Sequence, residues 1–186
     1  MILPILKTDR CILRLPSKED VPEIVKFYLE NKEHLAPWDP FMPDDFFTKV
    51  YWQKKVKEAQ EEFQNHQTVR LHIFLSDSNK LIGMINFTRM VRGVFHCCGL
   101  GYKIGHTHEG KGLMKESLQG AIEYIFDELN FHRIEANYIP SNLRSEKLLR
   151  KLGFEKEGYA KNYLKISGKW QDHILNSLTN KNWSEK

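Results

Sequence analysis

Nowhere in its 186 residues does the chain carry an apolar run long enough to cross a bilayer. The opening MILPILKTDR holds too short an apolar stretch to act as a signal peptide. Cysteine is scarce and odd in number, with Cys11, Cys97 and Cys98 only. Neighbours 97 and 98 would face opposite sides of a strand, so neither a disulfide framework nor a zinc site is expected, and a reducing cytoplasm fits best. No block of Lys and Arg resembles a nucleic-acid-binding arm. The net charge of +4 and pI of about 8.8 are compatible with an anionic ligand or a ribonucleoprotein partner without selecting either. No low-complexity tract or Pro/Gly/Ser linker divides the chain, so residues 1–186 are expected to form a single domain with a sizeable core.

What is present is organised around GLGYKIGHTHEGKGLMKESL, from Gly99 to Leu118. It predicts a strand, a short loop holding Gly110 and Gly112, and the first turns of an amphipathic helix. Leu113, Met114, Leu118, Ala121, Ile122, Ile125 and Leu129 recur at helical spacing and mark one buried face. A glycine-rich turn running into a helix gathers unpaired backbone N–H groups around one point, and the helix dipole adds partial positive charge there. A Cβ at such a place would hold a ligand away from the backbone. The loop therefore suits a phosphate or pyrophosphate. It is neither the G-x-G-x-x-G fingerprint nor a P-loop, so the same residues also fit a connection with no ligand.

Residues 8–16 predict a first strand, and Ser17 with Asp20 caps a helix over roughly 18–32 with Val21, Ile24, Val25 and Tyr28 on one face. NKEHLAPWDPFMPDD is too rich in proline and aromatics for a regular element. It is expected to be a loop in which His34, Trp38 and Phe41 are candidates to meet a ligand, Trp38 more as packing than as contact. A helix over about 46–65 carries Val50, Trp52, Val56, Ala59 and Phe63. Strands at 69–75, 81–90 and 95–105 form an antiparallel meander that delivers the chain to the pivot loop. Gly99 and Gly101 are poor strand residues, so they predict a bulge or a surface on which another molecule lies. Beyond the pivot helix come a strand at 132–139 and a short helix in NLRSEKLLRKLGF closed by Gly153. A hairpin of YAKNYLKI and KWQDHILNSLT ends the order. The result is a mixed, mostly antiparallel α/β sheet of about seven strands flanked by helices, with a crevice where the pivot helix crosses over.

The GKG turn at 110–112 after a glycine-bearing strand, followed by ANYIPSNLRSEKLLRKLGFEKEGYAKNYLKISGKWQDHIL, resembles the GNAT superfamily of acyl-CoA N-acyltransferases. Within it the chain is similar above all to the ribosomal-protein alanine N-acetyltransferases of the RimJ/RimL type, the RimJ branch especially. The likeness runs from LKTDRCILR through NKEHLAPWDP and VRGVFHCCGLGYKIG to the last strand. It implies the GNAT fold, with acetyl-CoA as co-substrate. The backbone of Tyr102, Lys103 and Ile104 would then pair with the pantetheine arm. The amides of Glu109, Gly110, Lys111, Gly112, Leu113 and Met114 would hold the pyrophosphate. Asn137 and Asn142 would flank the pantetheine and thioester, with Ser145 nearby. Two positions depart from the family: Thr107 stands where members often have Gln or Arg, and Leu149 where many have a Tyr that protonates the thiolate. Ser145 then becomes the better candidate acid.

Acetyl transfer from a thioester to an amine needs a neutral amine, donors for the developing oxyanion and a proton for the leaving thiolate. A strand amide near Lys103 is the expected oxyanion donor. RimL-like relatives can carry a Glu on the pivot strand, where this chain has Gly99. An α-amine, with a pKa of about 7.7–8.0, is partly neutral near pH 7, whereas a lysine at about 10.4 is not. A site without a strong base therefore suits an N-terminal amine. His96 and His173 are candidates to relay the proton, though each also fits a structural role. Asp172 beside His173 would face the other way in a strand. His106, His108 and Glu109 lack the further partners of a metal centre, so no metal is expected. Ser145 has no evident Asp/His partner for a nucleophilic triad and also fits a helix cap. Arg144, Lys147, Arg150 and Lys151 suit a solvated helix face or a seat for the CoA 3′-phosphate.

The expected function is acetyl-CoA-dependent acetylation of the N-terminal alanine or serine of a ribosomal protein by direct amine attack. Neither a membrane nor sequence-specific nucleic acid is expected as partner. Two other functions fit the same residues. One is a GNAT enzyme acetylating a small amine, an aminoglycoside or polyamine, for which Asp39, Asp44 and Asp45 would supply negative charge. The other is a ribosome-associated CoA-binding protein with little turnover.

Overall fold

A computed structural model describes residues 3–185. Its frame is an eight-stranded sheet in the order β1-β2-β3-β4-β5-β6-β8-β7. The strands are β1 (Ile5–Lys7), β2 (Cys11–Arg14), β3 (Val69–Leu75), β4 (Leu81–Val91), β5 (Cys97–Ile104), β6 (Arg133–Glu135), β7 (Glu155–Ile166) and β8 (Lys169–Thr179). All neighbouring pairs are antiparallel except β5–β6. The strand beyond the expected seven is β1. Thr8–Arg10 turn instead of extending, because the Thr8 hydroxyl accepts from the Cys11 N–H at 3.1 Å and the Thr8 N–H donates to Cys11 O at 2.9 Å.

Period-two alternation in the central strands sends side chains to two separate cores. On one face α1 (Val21–Glu30), the single turn α2 (Lys32–Leu35) and α3 (Lys49–Gln64) cover Phe74, Leu81 and Met84 with Ile24, Phe27, Leu35 and Val56. On the other, α4 (Leu113–Glu123) and α5 (Leu143–Lys151) cover Leu71, Ile85, Leu100 and Ile134 with Leu118, Ile122 and Leu149. Among the described residues no helix is long and apolar enough to cross a membrane.

Four local stretches depart from expectation. The helix predicted over 18–32 begins with a 3-10 turn and breaks at Asn31. There the Asn31 carboxamide donates to Phe27 O at 2.8 Å and accepts from the His106 N–H at 2.9 Å, tying the helix end to the pivot loop. One more helical turn, α2, then forms in a stretch expected to be wholly loop. Val50, one of the apolar residues of the helix expected over 46–65, is exposed. The strand predicted over 132–139 is regular only from Arg133 to Glu135, with one isolated bridge from Tyr138 to Ile174.

The approach to α1 is held by a buried ion pair. Arg14 Nη1 and Nη2 reach the two oxygens of Asp20 at 2.6 and 2.7 Å, and the Ser17 N–H donates to the same carboxylate at 2.7 Å. Burial alone would raise the Asp20 carboxyl, but the Arg14 guanidinium and the Ser17 donors outweigh it and hold it below its ordinary value. A depressed carboxyl stabilises the fold above its unfolded pKa of about 3.9, and that contribution is lost as the pH falls through the folded value. Asp20→Asn is therefore expected to cost about 2 kcal/mol at pH 7, discounted for the partial exposure of Arg14. The deficit should shrink in urea unfolding at pH 3. An equal deficit at both pH values would show that the charge is irrelevant.

Candidate active site

The shortness of β6 opens the sheet. β5 and β6 share only the rungs Cys97–Arg133, Cys98–Ile134 and Gly99–Glu135. Beyond them β5 continues to Ile104 with β4 on one side and, among the described residues, no strand on the other. The Ala136 and Tyr138 N–H groups turn instead to β8, donating to Asn176 O at 3.0 Å and Ile174 O at 3.2 Å. The two walls diverge into a wedge. Along it the Leu100–Ile104 backbone, which includes Tyr102 and Lys103, presents an edge to which an extended ligand can add as a strand.

The glycine loop lies at the wide end. Gly110 and Gly112 both take left-handed φ values, +72° and +78°, and space lies open where a Gly110 Cβ would stand. Gly112 is the N-cap of α4, so the unpaired amides of the helix start, Leu113 and Met114 among them, follow directly. Glu116 accepts from Thr8 Oγ1 at 2.6 Å, from the Arg10 N–H at 2.8 Å and from Arg10 Nε at 2.7 Å. Arg10 Nη1 also donates to Lys111 O at 3.0 Å. The Glu109 carboxylate is gripped by Arg144 at 2.7 Å and by His34 at 3.2 Å. The loop is thus braced from three elements, which lowers the ordering cost of binding.

The two faces of the wedge differ in chemistry. Tyr102 and Ile104 pack on the core under α4 and α5, so alternation sends Gly99, Gly101 and Lys103 to the α1/α3 face. Nothing lies within 4 Å of where a Gly101 Cβ would stand, whereas one at Gly99 would meet the Arg89 guanidinium at 2.7 Å. Lys103 Nζ reaches both oxygens of Asp39 at 2.6 and 2.7 Å, and Asp39 O accepts from the Ser167 N–H of the β7–β8 turn at 3.1 Å. This chain of contacts joins the two walls. It also commits Asp39 to Lys103, leaving it no charge to spare for a cationic acceptor.

On the α5 side, Asn142 Oδ1 accepts from the Ser145 N–H at 3.1 Å, so Asn142 is the helix cap and Ser145 sits three residues into the turn. The Tyr102 hydroxyl is buried and meets no partner at bonding geometry. Burial pushes its phenol up to about 12, against the opposing influence of the Ser145 hydroxyl beside it. Asn137 ties the β6 exit to the hairpin: its Oδ1 accepts from the Asn176 N–H at 3.1 Å and its Nδ2 donates to Tyr163 Oη at 3.3 Å.

The histidines divide. His173 is buried near the Tyr163 ring, 5.4 Å away, while its neighbour Asp172 faces outward onto Tyr159 and Asn162 as strand alternation requires. His96 is not brought to the wedge. Its ring contacts Gly93 O and packs on Trp183, and its carbonyl accepts from the His132 and Arg133 N–H groups at 3.0 and 3.1 Å. It holds the β4–β5 turn at the closed end of the strands. The carboxylate at the head of the wedge is Glu135, the rung partner of Gly99 on the same face, 3.4 Å from Arg133 Nε. Only the strand register reveals it. Burial pushes the Cys97 and Cys98 thiols up to about 11 and 12, which keeps them protonated and poor nucleophiles.

An unpaired strand edge beside a diverging neighbour, with a glycine-rich helix start at the wide end, is an arrangement suited to an extended, phosphate-bearing ligand. The chain belongs to the GNAT family of N-acetyltransferases, residues 10–155 matching the family model described as acetyltransferase (GNAT) domain. It is similar to the [ribosomal protein uS5]-alanine N-acetyltransferase of Escherichia coli (strain K12), with 43% identity over 179 residues, 96% of this chain and 92% of that protein. The crystal structure of ribosomal-protein-S5-alanine acetyltransferase from Vibrio fischeri superposes with a TM-score of 0.93 at 34% identity, covering 98% of this chain and all of that one (100%). Mycobacterium smegmatis RimJ, solved with CoA-disulfide, shares the fold at a TM-score of 0.89 and 24% identity, covering 99% of this chain and 90% of that one.

Proposed function

We propose that the protein transfers the acetyl group of acetyl-CoA to the N-terminal amine of an alanine- or serine-starting ribosomal protein in the cytoplasm. The observation that carries this reading is the wedge between β5 and β6, open to a ligand edge-on and bare of side chain at Gly101. Similarity to relatives named for uS5 and S5 alanine supports the choice of acceptor. Acetyl-CoA supplies the activated thioester. The amides from Glu109 to Met114 hold its pyrophosphate, the Tyr102–Ile104 backbone pairs with the pantetheine arm, and Asn137 and Asn142 flank it. The acceptor comes from the α1/α3 face over Gly101, with Glu135 at the head of the wedge. Its α-amine has a pKa of about 7.7–8.0, so a useful fraction is neutral without a strong base. From the opposite side Ser145 gives its proton to the departing sulfur. Proximity within one cleft supplies much of the acceleration.

A thiol-release assay with acetyl-CoA tests this against a panel of Ala- and Ser-starting peptides, the same peptides blocked at the N-terminus, internal-lysine peptides, spermidine and an aminoglycoside. Release only with free Ala or Ser termini is expected. Release with the small amines alone would replace the proposal, and silence with tight acetyl-CoA binding would point to a binding protein.

A further inference from the structure

Between α3 and the face of β3 and β4 that it covers lies a cavity of about 270 Å³, walled by Tyr28, Tyr51 and Trp52 and floored by His72 and Asn86. Two nitrogens in its lining are buried without any hydrogen-bond partner, Trp52 Nε1 and His72 Nδ1. His72 is only 4% exposed. An unpaired buried polar atom costs about 1–3 kcal/mol, and such exceptions in folded proteins call for a reason. Here the surroundings could have removed the cost with a phenylalanine at either position, since the neighbours are already aromatic.

The chemistry of the missing partner follows from the donors. An indole N–H can only donate, so what meets Trp52 must be an acceptor. Burial pushes the His72 ring down to about 3, so it stays neutral and brings one N–H and one lone pair. The carboxylates at the rim are already used: Glu62 accepts from Arg70 at 2.9 Å and from Thr68 at 2.7 Å, and Glu58 pairs with Lys55 at 2.7 Å. None of them answers the two nitrogens. The complement is an oxygen brought from outside.

The cavity also has an address. Asn86 and Met84 in its lining are the β4 rung partners of Gly101 and Lys103 on β5, so it lies one strand away from the wedge, on the α1/α3 face. An extended chain advances about 3.3–3.6 Å per residue and strands lie about 4.8 Å apart. A polypeptide whose N-terminus rests over Gly101 therefore reaches the cavity within about two to three residues. We propose that this cavity receives the third or fourth residue of the acceptor polypeptide and reads a side-chain carbonyl oxygen there, that of Asp, Glu, Asn or Gln, through Trp52 and His72. The proposal rests on the N-terminal acetyltransferase reading and adds what selects one terminus among many.

The test is acetylation kinetics on Ala-starting peptides carrying Glu, Gln, Ala or Leu at positions three and four, with the wild type, Trp52→Phe and His72→Phe. Each phenylalanine keeps an aromatic ring in place and removes the hydrogen-bonding nitrogens, Trp52→Phe at the cost of the indole's second ring. Wild type is expected to favour Glu or Gln peptides over Ala or Leu ones by about tenfold in kcat/KM, carried by KM, as one buried hydrogen bond would give. Trp52→Phe should erase that preference while leaving kcat and turnover of the Ala peptide unchanged, with His72→Phe as the second arm should one variant misfold. A preference for Glu alone would mark a carboxylate reader, and one shared with Gln a reader of the carbonyl. Equal use of all four peptides by wild type, or a preference that survives both variants, overturns the proposal and leaves a water-filled cavity. No transfer to any free Ala terminus removes the acetyltransferase reading, and this one with it.

Discussion

Gly110→Asp is expected to abolish acetyl-CoA binding while leaving the protein folded. The position tolerates a side chain sterically, since nothing lies within 4 Å of the added Cβ, so loss of binding cannot be assigned to collapse of the loop. The φ of +72° disfavours any L residue, but Asp is among those that visit the left-handed region most readily. What the substitution adds is a carboxylate among the amides proposed above to hold the pyrophosphate. Two unit charges about 5 Å apart at an effective dielectric of about 20 repel by roughly 3 kcal/mol, a loss on the order of a hundredfold, and a doubly charged group suffers more. Gly110→Ala isolates the backbone part, which is about 1–2 kcal/mol. Calorimetric titration of both variants with acetyl-CoA, alongside thermal unfolding, separates charge from strain. Wild-type affinity in a folded Asp variant would mean that the pyrophosphate sits elsewhere.

That prediction was within reach of the sequence because the glycine loop is a local feature. Residues 105–114 carry their own instructions: two glycines for left-handed φ, then an apolar helical period. The meander and the last hairpin were legible for the same reason, alternation being a short-range signal. What remained hidden depends on distant partners. Asn31 ends α1 because His106, 75 residues on, takes its side chain. Asp39 sits in a proline-rich stretch with no periodicity, and its carboxylate finds its partner in Lys103, 64 residues away. β6 shortens to three residues because Ala136 and Tyr138 find partners on β8, and that shortening is what opens the wedge. The same limit applies to Glu135, visible as a strand residue but placed beside Gly99 only by parallel register. His96 shows the reverse case: its chemistry was apt, but a turn between strands claimed its ring.

Ser145→Ala should lower kcat by about a hundredfold, the low end of what a positioned acid contributes, and leave acetyl-CoA affinity unchanged. The substitution is clean because the cap of α5 is the Asn142 carboxamide, which takes the backbone N–H of residue 145 whatever its side chain. Fold stability should therefore stay within about 0.5 kcal/mol of wild type. Tyr102 is not expected to stand in, because its hydroxyl is buried where its ring packs on the core. If Ser145 protonates the leaving group, a thioester whose thiol is more acidic needs that proton less. The defect measured with such an acetyl donor should then be several-fold smaller than with acetyl-CoA. An unchanged kcat would strip Ser145 of the role. An equal drop with both donors would place it in positioning the thioester, because a group that only orients cannot sense the basicity of the sulfur that leaves.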